Sequence, residues 1–393
     1  MRKLASIRKI SNLSPIEDRD RIELAFIDGW QVIVQKNEYK IGDLCIYIEI
    51  DSVLPQKPEF EFLEKRKYKI KTMKMAGVLS QGICFPLSIL PLGNYKEGDD
   101  VTNIIGVKHI DEINPPKMST PKKPKNPIIQ FLSKFWLFRK IYYRNHKNER
   151  RAWPNFVTKT DEERIQNLSK IFQQKDINYE VREKLDGSSL TAFIEVKEKK
   201  LPKFIKYIYK ILNKSLLEFD FGVCSRNLRK FNQNENFWIV VKKYNLEEVL
   251  KTYTLDKINY GNLYNILEEG HSIFTYVQGE LIGEGIQGNK YKLKGHDLYL
   301  FNLVNGDTKT GTMKTETQYA IPILKAYNPE IKWCPLVVKN YTLPETIDEL
   351  CDFVTEKSLL NPNVLREGCV FRHYNNNISF KCISPKFLLK YDI

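Results

Sequence analysis

Hydrophobic and polar residues alternate in short runs over the first 112 positions, as in "WQVIVQ", "DLCIYIEI" and "KYKIKTMKM", with turn pairs such as Asp28-Gly29 and Gly42-Asp43 between them. A period of two puts successive side chains on opposite faces, so these runs predict strands and the segment predicts a small β-domain. In "KRKYKIKTMK" the lysines Lys67, Lys69 and Lys71 alternate with Tyr68 and Ile70, giving a strand one basic and one apolar face. That pattern suits a barrel that tracks a phosphate backbone and equally suits a solvated outer strand.

The alternation ends at "NPPKMSTPKKPKNP", Asn114 to Pro127, where five prolines among lysines predict a semi-stiff linker. The chain therefore divides into residues 1–112, a linker over 113–127 and a second domain over 128–393. Two segments of the latter mix bulky apolar residues with cations: residues 128–151, "IIQFLSKFWLFRKIYYRNHKNERR", and Lys197 to Phe219, "KEKKLPKFIKYIYKILNKSLLEF". Each predicts a basic amphipathic helix, able to bind RNA or a membrane surface or simply to pack one face on the domain. The second reads as an insertion between strands. Thr160 with Glu163 three residues on predicts a capping box, followed by Ile165, Leu168, Ile171 and Phe172 at helical spacing. Beyond it, "HSIFTYVQGELIGEGIQGN", "HDLYLFNLVNG", "REGCVFRHY" and "NISFKCISPKFLLKY" predict strands with a few helices between, an α+β domain.

Composition sharpens this picture. A chain of 393 residues exceeds what one core usually organises, and 42% hydrophobic with 28% charged residues predicts a globular chain. The net charge of +14 makes a polyanion the favoured partner, nucleic acid before membrane surface, although an AT-rich coding sequence would raise lysine in the same way. Seven cysteines, Cys45, Cys84, Cys224, Cys334, Cys351, Cys369 and Cys382, fall singly, without a C-x-x-C pair to hold zinc, as suits a reducing compartment. The start lacks an apolar h-region and no window offers eighteen uncharged apolar residues, so a cytoplasmic protein with no membrane partner is expected. The five histidines, His109, His146, His271, His296 and His373, have no ligand-like spacing and read as structural.

Candidate chemistry begins in "YEVREKLDGSSLTAF". On a strand Arg182, Lys184 and Asp186 share a face, and Gly187 allows the backbone to turn closely past a ligand. A lysine attacks phosphorus only when neutral, so Lys184 needs positive charge or a metal nearby. Lys381 in "SFKCIS", followed by Lys386, supplies candidate cations; Glu280 in "VQGELIG" and Glu367 in "REGCVF" are acids able to hold a divalent ion. Together these suit nucleotidyl transfer. Gly283, Gly285 and Gly288 fit G-x-G-x-x-G, but "NKYKLKGHDLYLF" alternates where a dinucleotide fold needs a helix, so these glycines predict a tight loop beside a ligand.

The ordered series "EKLDG", "CSRN", "QGELIG", "LYLFNL", "REGCVFR" and "SFKCIS" resembles motifs I, Ia, III, IIIa, IV and V of the covalent nucleotidyltransferases, the superfamily of polynucleotide ligases and capping enzymes. With "AWPNFVTKTDEERIQN", "DRIELAFIDGWQVIV" and "GDLCIYIEIDSVLP", nearly the whole chain resembles the Deinococcus/Naegleria-type RNA ligases. That family places an OB-fold barrel before a nucleotidyltransferase domain of antiparallel sheets flanked by helices.

The resemblance implies an ATP-dependent RNA ligase, with Mg2+ or Mn2+, sealing 3′-OH/5′-phosphate ends, nicks in duplexes above all. Lys184 would attack the α-phosphorus of ATP, AMP would pass to an RNA 5′-phosphate, and a 3′-hydroxyl would displace it. By motif position Asp186, Glu280 and Glu367 would serve the metal, Glu280 alternatively the ribose, and Lys381 the α-phosphate. Glu183 and Arg226 would contact the nucleotide, Arg226 alternatively the RNA terminus, and Arg164 the outgoing phosphates. Tyr299 or Phe301 would stack on adenine. Two departures stand out: Ile383 occupies the place of a second motif V lysine, which leaves Lys386 as its substitute or not, and the Lys197 to Phe219 segment is longer than usual. A monomer is expected. The competing readings are a DNA ligase or capping guanylyltransferase, told apart by ATP or GTP use, and a catalytically inactive RNA-binding protein.

Overall fold

The computed structural model describes residues 3–113, 135, 153–159, 162–174, 177–261, 263–315, 317–373 and 378–391. Asn114 to Pro127, the expected linker, lies outside them, as do residues 128–151 except Phe135, which is exposed. The chain forms two compact units, one of Met1–Lys117, Glu162–Lys184 and Leu336–Ile393, the other of Met118–Asp161 and Leu185–Pro335.

In the first unit the front of the chain folds into short antiparallel strands. Arg19–Ile27 and Trp30–Gln35 form a hairpin whose two-residue turn, Asp28-Gly29, sits at positive φ, the conformation that matches strand twist. Trp30, Val32 and Val34 are buried while Gln31 and Ile33 are half-buried and Gln35 is exposed, the alternation expected of "WQVIVQ". Leu44–Ile48 pairs with Ala5–Lys9 on one side and Ile83–Phe85 on the other. The "KRKYKIKTMK" strand is interrupted. A 3-10 helix occupies Pro58–Arg66, and Lys67 and Tyr68 take left-handed backbone conformations, so regular pairing is confined to Lys69–Ile70 and Thr72–Met75.

The same unit holds a five-stranded sheet in the order Glu163–Arg164, Ser379–Ile383, Gly368–His373, Asn178–Lys184, Leu336–Thr342. One face packs Tyr179, Val181, Cys369, Phe371, Phe380 and Cys382 against Leu350 and Val354 of helix Ile347–Val354. The barrel is joined to this sheet by apolar contact of Leu79 with Ile383 and Leu388. Gly29 is part of this joint, since a Cβ there would lie 2.6 Å from Cγ2 of Ile347.

The helix expected from a Thr160–Glu163 capping box is different in kind. Thr160 lies outside the described residues, Glu163 and Arg164 pair in parallel with Phe380 and Lys381, and a 3-10 helix follows over Ile165–Gln173 with a non-helical Leu168. The Glu163 carboxylate accepts from Asn167 at 2.7 Å and from the Arg164 amide at 3.1 Å. Sheet pairing, a long-range gain, overrides the local signal.

The second unit is built on a seven-stranded sheet running Arg229–Lys230, Leu217–Ser225, Ser188–Glu198, Ile273–Gly283, His296–Asp307, Gly311–Thr315, with Lys332–Trp333 parallel beside His296–Asp307. Leu190, Ala192, Val277, Leu281, Leu298 and Leu300 line one face, under helices Asn236–Lys243, Leu246–Tyr260 and Thr317–Tyr327. On the other face Val157 and Phe156 cover Phe193, Tyr276 and Val304, held by Gln278 donating to the Thr158 carbonyl at 2.7 Å. The fold is α+β, with antiparallel sheets and flanking helices. Among the described residues no helix is long and apolar enough to cross a membrane.

Candidate active site

Lys184 ends its strand, and strand alternation gives it the face of Glu180 and Arg182 rather than that of the buried Tyr179 and Val181. Its register partner is Gly368, where a Cβ would fall 2.1 Å from the Cys382 carbonyl oxygen, so only glycine lets these strands meet here. The residue before that glycine is Glu367. Lys184 Nζ donates to both its carboxylate oxygens, at 2.7 and 2.6 Å, with the lysine side chain 28% and the glutamate side chain 14% exposed.

The same sheet face gathers further cations. Lys381 registers with Val370 and through it with Arg182, and with Arg164 on the edge strand. Arg182 pairs with Glu180 at 2.6 Å, both nearly buried, and Arg372 with Glu162 at 3.5 Å. The Arg164 guanidinium stands 5.5 Å from the ring centroid of Trp30 in the barrel. Glu183 has the opposite orientation. Its side chain leaves the face of Lys184, lies buried, and accepts the Leu359 amide at 2.8 Å. Burial raises its carboxyl above the ordinary range, against the opposing effects of Ser358, the Leu359 amide and Arg366. Lys386 is exposed in helix Pro385–Tyr391, off the strand that carries Lys381, while Ile383 is buried against Leu79 and Leu388.

In the second unit Asp186 and Glu280 flank a tight approach. A Cβ on Gly187 would lie 2.4 Å from the Leu281 carbonyl oxygen and 3.0 Å from Cγ of Glu280, so glycine permits the turn after Asp186 to rest on the Glu280 strand. Ser189, Glu280 and Tyr299 form one cross-strand row, extended by Lys332 beside Tyr299. The choice between Tyr299 and Phe301 turns on a β-bulge. Pairing passes from Gly279 opposite Leu300 to Gln278 opposite Asn302, so the register steps past Phe301 while Tyr299 keeps register with Glu280. Lys332 Nζ lies 5.6 Å from the Tyr299 ring centroid and 2.6 Å from Asp297. Arg226 is exposed in the turn closed by the Ser225 amide on the Leu228 carbonyl at 2.8 Å.

Sequence reasoning missed two partners. The glycine loop, with Gly283, Gly285 and Gly288 at positive φ and only a three-residue 3-10 turn, returns Lys290 to an ion pair with the Asp186 carboxylate. It also places the Tyr291 hydroxyl 2.8 Å from the Asp186 amide, which donates to it. The signal was in "NKYK", read only as the start of an alternating run after the glycines. Asp297 accepts from Lys332, Tyr244 and Lys243; these bonds overcome the cost of its burial and hold its carboxyl below the usual range. Nothing in the local sequence announces that cluster.

Among the described residues no group of three or more His, Cys, Asp or Glu side chains is placed to hold a metal ion. Instead Asp186 and Glu367 each hold a lysine ammonium, which marks both as hard oxygen donors turned toward positive charge.

A family model described as an OB-fold domain matches residues 4–87, and one described as RNA ligase matches residues 177–391. Among solved structures, a Naegleria gruberi RNA ligase mutant with AMP and Mn superposes at TM-score 0.68 with 28% identity, covering 99% of each chain. The Naegleria gruberi RNA ligase with PPi gives 0.66 and 29%, covering 100% of this chain and 99% of that one. A mutant of it with ATP and Mn gives 0.66 and 29%, covering 99% of each. Comparison with curated proteins finds no match.

Proposed function

Since this chain belongs to the RNA ligase family, we propose that it is an ATP-dependent ligase joining RNA 3′-hydroxyl and 5′-phosphate ends, nicks in duplexes above all. The observation that carries the reading is the Lys184–Glu367 pair at the end of the strand that opens the "KLDG" segment. A lysine ammonium has no lone pair to give, so Lys184 must lose its proton before attack. By motif position Asp186, Glu280 and Glu367 would serve Mg2+ or Mn2+, which would neutralise phosphate charge; a lysine ammonium now stands at Asp186 and another at Glu367. The complexes of the Naegleria enzyme with ATP, AMP and manganese support this choice of substrate and ion.

Lys184, its proton given up to solvent, attacks the α-phosphorus: a P–N bond forms, the bond from that phosphorus to the bridging oxygen breaks, and pyrophosphate leaves. AMP passes to the RNA 5′-phosphate, and the 3′-hydroxyl displaces it with release of AMP. Lys381 offers its ammonium to the α-phosphate, Tyr299 a ring face to adenine, and Arg226 a guanidinium to the nucleotide or RNA end.

The test is incubation of wild type and Lys184→Ala with α-labelled ATP or GTP and magnesium or manganese, then a denaturing gel and acid treatment. An acid-labile AMP adduct absent from the variant, followed by sealing of a nicked RNA duplex, is the expected result. A GMP adduct would move the assignment to a capping guanylyltransferase. No adduct under any combination would leave an inactive RNA-binding protein.

A further inference from the structure

The hairpin of Ser188–Glu198 and Leu217–Ser225 does not close in a tight turn. Its pairing continues to the Lys199 amide on the Leu216 carbonyl at 2.7 Å, after which helix Lys203–Ile211 is mounted at the tip. The inner side of this helix is anchored. Lys206 pairs with Glu198 at 2.5 Å, Lys199 Nζ stands 5.3 Å and Lys214 Nζ 6.0 Å from the Tyr209 ring, and Ile205, Ile208 and Tyr209 are half-buried.

The outer side is the unusual one. Phe204, Tyr207 and Ile211, at i, i+3 and i+7, share a face and are 71%, 65% and 64% exposed, with exposed Lys203 beside them. The stretch from Lys197 to Phe219 carries seven lysines against two glutamates, a net +5 out of the chain's +14. Bulky apolar groups held outward on a cationic arm mark a contact surface.

We propose that this arm binds the RNA substrate away from the joined ends, stacking unpaired or splayed bases on Phe204 and Tyr207 while its lysines hold the phosphates. This rests on the RNA ligase reading. Aromatic platforms set among lysines are the combination that single-stranded nucleic acid requires. Lys197 on one flanking strand, Lys199 and Lys214 in the connections and Lys203 on the helix together track a linear polyanion. A nine-residue helix with three outward apolar side chains offers a lipid surface little area to bury. Glu198 lies nine positions along its strand from Ser189, the register partner of Glu280, which sets the arm roughly 30 Å along the sheet from that row. Adenylylation therefore proceeds without the arm, and RNA affinity does not.

The experiment compares full-length wild type, Phe204→Ala/Tyr207→Ala, Lys203→Glu and a chain in which residues 200–215 are replaced by Asn-Gly. Each is measured for AMP-adduct formation, for affinity to nicked RNA duplexes with single-stranded extensions longer or shorter than about 30 Å, and for co-sedimentation with anionic vesicles. Adduct formation within twofold of wild type is expected. Affinity for the long RNA should fall about tenfold in the aromatic variant, since stacking contributes about 1–3 kcal/mol per base. Lys203→Glu should flatten the salt dependence, and the short RNA should bind equally to all. Unchanged affinity for the long RNA in the aromatic and hairpin variants overturns the proposal. So does vesicle binding that is lost in the variants while RNA affinity stays constant. An absent AMP adduct in wild type counts against the ligase reading alone, because RNA affinity is read independently of it.

Discussion

Glu367 holds Lys184 with both carboxylate oxygens, at 2.7 and 2.6 Å, across 183 residues of chain. The pair orders the lysine ammonium. Replacing Glu367 by Gln keeps the size of the side chain but removes the charge that holds the lysine and that would hold a cation. Adenylylation at saturating ATP and manganese should drop at least about a hundredfold, the scale of losing one charge-stabilising group in an active site. Single-turnover labelling measures it. A rate within threefold of wild type would exclude Glu367 from the chemistry.

Lys290 is the ion-pair partner of Asp186, and the Tyr291 hydroxyl accepts the Asp186 amide, so one loop orders both the side chain and the backbone of this residue. Lys290→Met should leave the aspartate free of its resident cation. If the ion replaces the lysine during turnover, the variant needs a lower manganese concentration for half-maximal labelling, by about threefold to tenfold for a partly buried charge pair. A metal titration of adduct formation decides. An unchanged midpoint would mean that Asp186 keeps its lysine throughout.

Tyr299 and Phe301 are two residues apart, yet the bulge separates their surroundings. Tyr299→Ala should raise the KM for ATP by roughly tenfold, the effect of losing a stacking platform that contributes about 1–3 kcal/mol, while Tyr299→Phe retains most of it. Phe301→Ala should leave that KM within about twofold and appear chiefly as lost packing. Equal KM effects of the two alanine variants would return the choice to the state in which alternation alone leaves it.

That choice shows where sequence reading succeeds and stops. The strand positions of Lys184, Glu280 and Lys381 were legible because each sits in a short segment whose alternation signals a strand. The bulge at Phe301 was not, since nothing local distinguishes "LYLFNL" from an unbroken strand and the extra residue is defined only by the opposing strand, where Gly279 and Gln278 register with Leu300 and Asn302. Lys290 and Lys332 were missed for the same reason, as single lysines in a lysine-rich chain become partners only through strand and loop placement. The 3-10 helix at Ile165–Gln173 reverses the lesson. There the local pattern was strong and the pairing of Arg164 with Lys381 prevailed over it.

Asp297 provides a prediction from pH. Burial opposes its charge, but Lys332, Tyr244 and Lys243 donate to it and hold its carboxyl below the usual value near 3.8. A carboxyl depressed in the folded state adds stability that is fully present above the unfolded value and is lost as pH falls through the folded one. Asp297→Asn should therefore destabilise the protein at pH 7 by about 2 kcal/mol, the scale of hydrogen bonds to a charged group in a buried site. The difference from wild type should shrink steadily as pH falls below about 4, because the wild-type carboxylate is itself being protonated. Because Lys332 also stands over the Tyr299 ring, the variant should raise the KM for ATP modestly while leaving maximal adenylylation near wild type. Urea unfolding at a series of pH values, set beside labelling kinetics at pH 7, measures both. A stability difference that stays constant from pH 7 to pH 3 would show that the carboxylate's charge contributes nothing to this cluster.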